Sequence, residues 1–599
     1  MAETRATGRT AAALVLLASC AVAPAVPEAR AAGADGGASL LSSSAFAPAL
    51  PFDLVAPADP PASSATDLGP DFGLGPDPDF GAVPASPAAP AAVPVPTFAP
   101  PPAATDPAAP AAALAPESAP PPPAPPPAAA RDMDARLGTA AAALDAAAEA
   151  EGPFDLGALR AAAGMTAPPP AGFPPPRAAP PDAVARAVPF DLRLALAMLS
   201  QGSTRADDER VRAAQGARGD VALALEGGVA TLDTVREGLR ATGLQPEDGP
   251  VRVPLVVMPD AVLLLRPGEM LALARAHGAF VLAFGRIEAD GARIEAHGPA
   301  NAAVPAFAPF VAVAGTGSLW MQRTVVTGLG FGITDKYAGL AMLGHPLRPP
   351  LAPSAILGSH LRGGGGVVLA SAPGVRVEGT RFSAMRRGAL RIDASPGAVV
   401  AGNLFHGTAT TNAIRLRAGS AGARIEGNAV LGGARAAIVA VDSRGVRVAD
   451  NLVWRRDGGA VKLDRAPCGR VEGNVLVGSR QKGIEVRGSA GVRVDRNLVS
   501  GSRSAGIWIS AQEGEAVTRL TANRLERNGT GLVGATAARV ALRANDFSAQ
   551  LPRLAGGDLA TFSTQLARDL RGAEATTLRA AGAPARNVSP APACDGDPA

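Results

Sequence analysis

The C-terminal half of this chain predicts an all-β fold, a right-handed parallel β-helix, and three observations carry that prediction. First, an asparagine returns at near-constant intervals: Asn403, Asn428, Asn451, Asn474, Asn497, Asn523 and Asn545 lie 25, 23, 23, 23, 26 and 22 residues apart. Second, the surrounding phrase repeats with it, as RVEGTRF (Thr380 in the asparagine place), VVAGNLF, RIEGNAV, RVADNLV, RVEGNVL, RVDRNLV, RLTANRL and ALRANDF. Third, a short strand follows each phrase: GALRID, NAIRLR, AAIVAV, GAVKLD, KGIEVR, AGIWIS and TGLVGA. A fixed period of this size marks stacked repeats that bury their apolar faces only against their neighbours.

Each part of the repeat has a physical reason. Glycine and asparagine tolerate the left-handed backbone of tight corners, so they recur between strands. The strands alternate, with Leu390, Ile392, Ile414, Leu416, Ile484, Val486, Ile507 and Ile509 on one face. An aromatic content of only 4% suits a thin core of stacked aliphatic side chains. Buried polar groups need partners, so the asparagine column is expected to form a ladder of amides bonded to each other and to turn backbone. A leucine-rich repeat is the alternative solenoid, but its leucine pattern and helical return are absent.

The N-terminal third reads differently. Residues 1–31 have the form of an export signal, with Arg5 and Arg9 ahead of an apolar run from Ala11 to Val26. Two cleavage readings compete: a lipoprotein signal, with Cys20 lipidated as a membrane anchor, and ordinary cleavage after Ala29-Arg30-Ala31. Either places the protein outside the cytoplasm, in the periplasm. Residues 32–182 form a Pro/Ala-rich disordered linker, dense in those two residues over 45–130 and 166–182, with a short helix expected within 131–163 and nothing to fix its packing partner. A partly helical lead-in covers 183–219, a cap with the first coils 220–350, the regular coils 351–550, and a tail 551–599. The tetrapeptide PFDL occurs at Pro51–Leu54, Pro153–Leu156 and Pro189–Leu192, as a repeated docking motif or by chance in a low-complexity stretch. Besides Cys20, only Cys468 and Cys594 are present, and they are candidates to pair in an oxidising compartment. A net charge of +3, without a basic patch interleaved with aromatics, argues against a nucleic-acid partner.

Ahead of the regular coils stand the phrases LALEGGVATLDTV (223–235), VRVPLVV (251–257), RAHGAFVLAFGRI (275–287), GARIEAHG (291–298) and FAPFVAVAGTGSLWMQRTVVTGLGF (307–331). KYAGLAM, ILGSHLRG and VVAGNLFHGT follow in the same order. Together they resemble the periplasmic mannuronan C5-epimerases of alginate-producing bacteria, exported β-helices that invert C5 of mannuronate within the polymer. The resemblance implies a polysaccharide-modifying protein acting on a uronate polymer such as alginate. A non-catalytic polyuronate-binding protein of an exopolysaccharide export assembly and a polysaccharide lyase are the alternatives. The C5 proton lies α to a carboxylate, so that carboxylate must be neutralised by Arg, Lys or a metal. One group then removes the proton and another returns one from the opposite face.

The family carries Asp-Pro-His-Asp on one coil and an Arg on the next. By strand phase this chain places Arg391-Ile392-Asp393-Ala394 at the motif, so Asp393 stands for the histidine. The arginine place falls at Ala418, with Arg417 just before it. An aspartate can take the proton only if burial or a like charge raises its pKa from the ordinary value, and the neighbouring Arg391 and Arg417 act in the opposite direction.

The repeat register gives an independent view of the outer surface. On the second strand one outward column reads Arg391, Arg415, Val439, Lys462, Glu485, Trp508, Val533, and the other Asp393, Arg417, Val441, Asp464, Arg487, Ser510, Ala535. Such a face suits a linear polyanion, with Arg391, Arg415, Arg417, Lys462, Asp464 and Arg487 as contacts and Trp508 placed to stack on a sugar ring. Charges paired between coils, such as Asp393 with Arg415 or Arg417, are the competing explanation. His406, in FHGT, is either a corner histidine satisfied by backbone or, with Asp393, a proton-transfer residue. His345 and His360 lie upstream where either could reach a groove, and His277 and His297 belong to the cap. No His/Cys/Asp group has zinc-ligand spacing, and no cofactor is expected. Calcium bridging Asp393, Asp464 and a uronate is conceivable, without any calcium-binding repeat to support it.

Overall fold

In the repeat, strands of three to six residues alternate with corners, and the backbone at those corners explains the sequence. The residue before each ladder position is left-handed: Gly379, Gly402, Gly427, Asp450, Gly473, Arg496, Ala522 and Ala544 all have φ between 52° and 64°. That turn aims the following side chain inward. Asn428 shows the consequence: its backbone N–H donates to Asn451 Oδ1 at 3.0 Å, and its Nδ2 donates to Asn451 Oδ1 and Val400 O at 2.9 Å each. The pattern runs without a break from Asn403 to Asn545, all at most 3% exposed. The expected amide ladder is therefore present. It satisfies corner N–H groups that the strands leave unpaired.

The computed structural model describes residues 128–146, 156–165, 183–199, 205–216, 220–582 (without 333, 346, 351, 408, 409 and 514) and 594. The signal peptide, Cys20, most of the Pro/Ala-rich linker and the first PFDL lie outside the described residues. Those described form a parallel β-helix of three sheets, with 15 strands in sheet I, 14 in sheet II and 11 in sheet III. Sheet I contains Leu390–Asp393 and Ile414–Arg417, sheet II Arg424–Glu426 and Arg447–Ala449, sheet III Leu404–His406 and Leu452–Trp454. Inward side chains from all three fill one continuous core, in which Phe382 stacks on Phe405 one coil later at 4.6 Å between centroids.

Helix α1 (Ala128–Ala146) and helix α2 (Gly157–Ala162) lie on the outside of sheet III. Leu137, Ala141, Leu156, Leu159 and Ala163 are buried there against Leu404, Leu431, Leu452 and Val477. The strap is fixed at its edge, where Asp134 accepts from Trp454 Nε1 at 2.8 Å and from Arg455 at 2.7 Å. Arg160 donates to Asp450 O at 2.9 Å. Leu156 closes the second PFDL. The third ends at Leu192, buried in a separate cluster at the start of helix α3 (Leu192–Leu199).

A reversed strand stands at one end of sheet I and another at one end of sheet II. Strand Arg186–Asp191 runs antiparallel to Val221–Glu226 at one end of sheet I, and Thr576–Arg579 antiparallel to Arg539–Arg543 at one end of sheet II. Each reversed strand ends the parallel stacking in its sheet. Cys468 and Cys594 form a disulfide across 126 residues of sequence. A loop of that length is worth roughly 4–5 kcal/mol in the chain-entropy account. Among the described residues no helix is long and apolar enough to cross a membrane.

Candidate functional site

Sheet I sets the register of the outward columns directly. Arg391 pairs with Arg415 and Asp393 with Arg417; further along, Lys462 leads to Glu485 and Trp508, and Asp464 to Arg487 and Ser510. The columns read from the repeat are therefore the columns of the fold.

Asp393 is buried at 8% exposure and sits between two guanidinium groups. Arg391 Nε donates to Asp393 Oδ2 at 2.7 Å, and Arg417 Nη2 reaches the same oxygen at 3.5 Å. Oδ1 lies 3.3 Å from Arg417 Nε but receives no hydrogen bond, which leaves a buried acceptor oxygen next to two cations. The ion-pair expectation for Asp393 holds with Arg417, on the next coil, and with Arg391 on its own strand.

Asp335, which the repeat could not reveal, completes this cluster. It sits in one short helical turn, Asp335–Tyr337, between coils, and both its oxygens accept from Arg391, Oδ2 at 2.7 Å from Nη2. Burial pushes the Asp335 carboxyl up; Arg391 draws it down, and the neighbouring Asp393 charge adds to the rise. Burial pulls the Arg391 guanidinium down, but hydrogen bonds and charge from Asp393 and Asp335 outweigh this and raise it.

The turn itself is held from behind by helix α4 (Arg205–Ala214). Lys336 Nζ lies 2.6 Å from Asp208, Tyr337 donates its hydroxyl to Asp208, and Thr334 Oγ1 donates to Asp207 at 3.0 Å. Burial and the Asp208 and Asp207 carboxylates push the Tyr337 phenol upward, so it remains a neutral donor. Part of the lead-in thus acts as a brace for Asp335. The only sequence signal for it was an acidic residue in the irregular stretch before KYAGLAM.

Further along the face, charges also meet on the surface. Lys462 Nζ is 3.2 Å from Asp464, which also receives Arg465 at 3.1 Å. Lys482 Nζ is 3.0 Å from Glu485 and lies 4.5 Å from the centroid of the half-buried Trp508 ring, so one face of that indole already holds a cation. Arg487 is exposed. His406 is not brought to Asp393: it stands on sheet III, between Ser383 and Leu431, because Leu404–His406 is a strand the chain reaches only after crossing sheet II at Val399–Ala401. His360 is also on sheet III and bonds Ser383 Oγ through Nε2 at 2.8 Å, while His345 is exposed in a loop.

These features define a class: a parallel β-helix with a charged outer face along one sheet. Solved structures of the periplasmic alginate epimerase AlgG are similar to it. One has a TM-score of 0.51 at 15% identity, over 61% of this chain and 95% of that chain. A singly substituted form of the same enzyme has a TM-score of 0.54 at 15% identity, over 63% and 98%. The likeness is one of fold. The profile of a family described as periplasmic copper-binding protein (NosD) matches residues 374–564. No curated protein sequence is significantly similar to the chain. Copper finds no evident donor set, since among the described residues no three His, Cys, Asp or Glu side chains are grouped to hold a metal ion.

Proposed function

We propose that this protein acts on a uronate polysaccharide in the periplasm, along the outer face of sheet I, with Asp393 at the reacting position. The observation that carries this reading is the Asp335–Arg391–Asp393–Arg417 cluster on a fold similar to that of a periplasmic alginate epimerase. A substrate carboxylate arriving at Arg391 and Arg417 takes over hydrogen bonds now made to Asp393. This neutralises the charge that opposes removal of the C5 proton, and it frees the aspartate to accept that proton. Arg415 lies in register beside Arg391, while Lys462, Asp464, Arg487 and Trp508 extend the face for neighbouring sugars. The guanidinium groups supply the neutralising charge, so the reading needs no metal. A place in an export assembly and a lipid anchor at Cys20 are compatible with it.

Binding without turnover is the second reading, favoured by the two guanidinium groups that Asp393 already engages. Incubation with polymannuronate in deuterated water, followed by proton NMR, separates the two. Deuterium at C5 with guluronate signals is expected for an epimerase, and ultraviolet absorbance of an unsaturated product for a lyase. Asp393→Asn should abolish exchange while polymer retention persists; undiminished exchange in that variant would remove Asp393 from the reaction.

A further inference from the structure

The outer face of sheet I changes character along the solenoid axis. In the column that holds Arg391, the coils before it carry Leu282, Ala312, Ala341 and Val368, all apolar and at most 5% exposed. Leu192 and Leu196 of α3, Val211 of α4, and Phe331 and Tyr337 pack over the earlier of these coils. The charged face therefore begins where the cover stops, and Asp335, on the same turn as Tyr337, stands at that border against Arg391. A polymer lying on the open face meets this cover when it reaches Asp393.

Beside that border, where the chain turns into the strands of sheet I, lies a cavity of about 240 Å³. Its lining includes Gly330, Phe331, Gly332, Gly365, Arg386 and Arg387, and no carboxylate. Glycine is required at two of these positions, since a Cβ on Gly330 or Gly365 would lie 2.2 or 2.3 Å from Ala338 O. Gly332 stands three residues before Asp335, and Arg387 four before Arg391. Four residues span at most roughly 14 Å, so the cavity is within the reach of a short oligosaccharide held at Arg391.

The charge of this corner is not balanced. Arg387 is half-buried and makes no hydrogen bond or ion pair among the described residues. Arg275, from the cap, has a buried Nε without a hydrogen-bond partner. Arg386 is anchored, donating to Leu329 O at 3.2 Å and to Gly330 O. Desolvation draws its guanidinium below the ordinary arginine value, and the like charges of Arg275 and Arg387 draw it further. Asp207 stands behind Gly332, but it is fully buried and already accepts from Thr334 and Arg210.

We propose that this corner is a carboxylate subsite, in which Arg275, Arg386 and Arg387 hold the uronate unit next to the one at Arg391, so that the polymer turns across the strands at the edge of the cover. The inference rests on the sheet I reading and adds to it the direction in which the chain leaves the reacting position. A carboxylate in the cavity meets two guanidinium groups with no protein acceptor to give up, and charge-assisted hydrogen bonds to them are a net gain.

The test is titration calorimetry of a mannuronate hexamer into the oxidised full chain. Arg275→Ala with Arg387→Ala removes cations that make no side-chain hydrogen bond in the free protein, so the fold loses no bond it was using. Affinity should fall at least about tenfold, as the loss of charged hydrogen bonds implies. Arg275→Lys with Arg387→Lys should retain most of it. A hexamer whose carboxyl groups have been reduced should not distinguish the alanine variant from the parent. Unchanged affinity for the uronate hexamer in the alanine variant overturns the subsite and leaves the sheet I reading standing. An equal loss for the reduced hexamer overturns the carboxylate as the group recognised. A parent chain that does not bind the uronate hexamer overturns the sheet I reading, and the subsite with it.

Discussion

Sheets I and III are strands of the same coils, yet their outer faces carry opposite chemistry. On sheet I the outward columns hold Arg391, Asp393, Arg415, Arg417, Lys462 and Asp464, charges that pair across the surface. On sheet III the columns run through Leu404, Ala429, Leu452 and Val475, and through Leu431, Trp454 and Val477. Apolar side chains therefore gather at outward positions where another segment covers them. The apolar stripe on sheet III is covered by α1 and α2, whose own buried leucines face it. Contiguous exposed apolar surface of this sort is rare on soluble proteins, so a stripe of outward leucines is a signal that another segment lies on top.

The largest effect is expected from breaking that cover. Leu159 is fully buried between the strap and sheet III. Leu159→Asp should cost the strap at least the ~2–5 kcal/mol of a core leucine truncation, with the desolvation of a carboxylate added. Hydrogen exchange should then show helices α1 and α2 unprotected, while the coils keep their protection through the amide ladder and retention on alginate is unchanged. A strap that stayed protected would mean that it is held by something other than this apolar contact.

A smaller effect is expected at the polar edge of the same interface. Burial raises the Asp134 carboxyl, but hydrogen bonds from Arg455 and Trp454, with the Arg455 charge, hold it below its ordinary value. A depressed carboxylate adds stability that is present above the unfolded-state value and lost as pH falls through the folded-state one. Docking of the strap should therefore weaken in acid, below the ordinary aspartate range, by about 1 kcal/mol at most for a pair this open to solvent. Asp134→Asn should flatten that acid limb in a fluorescence titration of Trp454. An unaltered limb would assign it to other carboxylates.

Much of this contrast was legible in the repeat, and the part that was not has a physical cause. The asparagine period defined the coils, the ladder and the sheet I columns, because every coil must place its inward residues in register with the last. The same alternation carries Leu404, Leu452 and Trp454 outward on sheet III, but which side of a three-residue strand faces the core is weakly marked when both sides are apolar. The helical propensity of 131–163 was visible in its alanines and charges; its partner was not, because docking joins Leu159 to Leu452 across hundreds of residues. Asp335 escaped for a similar reason: its position depends on α4 bracing the 334–337 turn through Asp207 and Asp208. His406 stands apart from Asp393 although the two follow each other closely in sequence, because between them the chain runs through the sheet II strand Val399–Ala401 before it reaches sheet III.

The smallest effect, and the sharpest test of the comparison, concerns two aspartates that titrate in opposite senses. Asp134 on sheet III is held low, whereas Asp335 beside sheet I is held high, burial outweighing the pull of Arg391 and Asp393 adding like charge. For a carboxyl raised above its unfolded value, the folded state binds the proton more tightly. The stability this contributes is fully present below the ordinary aspartate value and is lost as pH rises through the folded-state value. Asp335→Asn keeps the size of the side chain and an oxygen for Arg391 but has no proton to lose. The Tm of the variant minus that of the parent should therefore increase with pH across this window and level off above it, by calorimetry at a series of pH values. A difference that decreases with pH would mean that the ion pair with Arg391 outweighs the cost of burial. Asp335 would then titrate in the same sense as Asp134, and the distinction between a covered apolar face and a charge-lined one would not extend to their carboxylates.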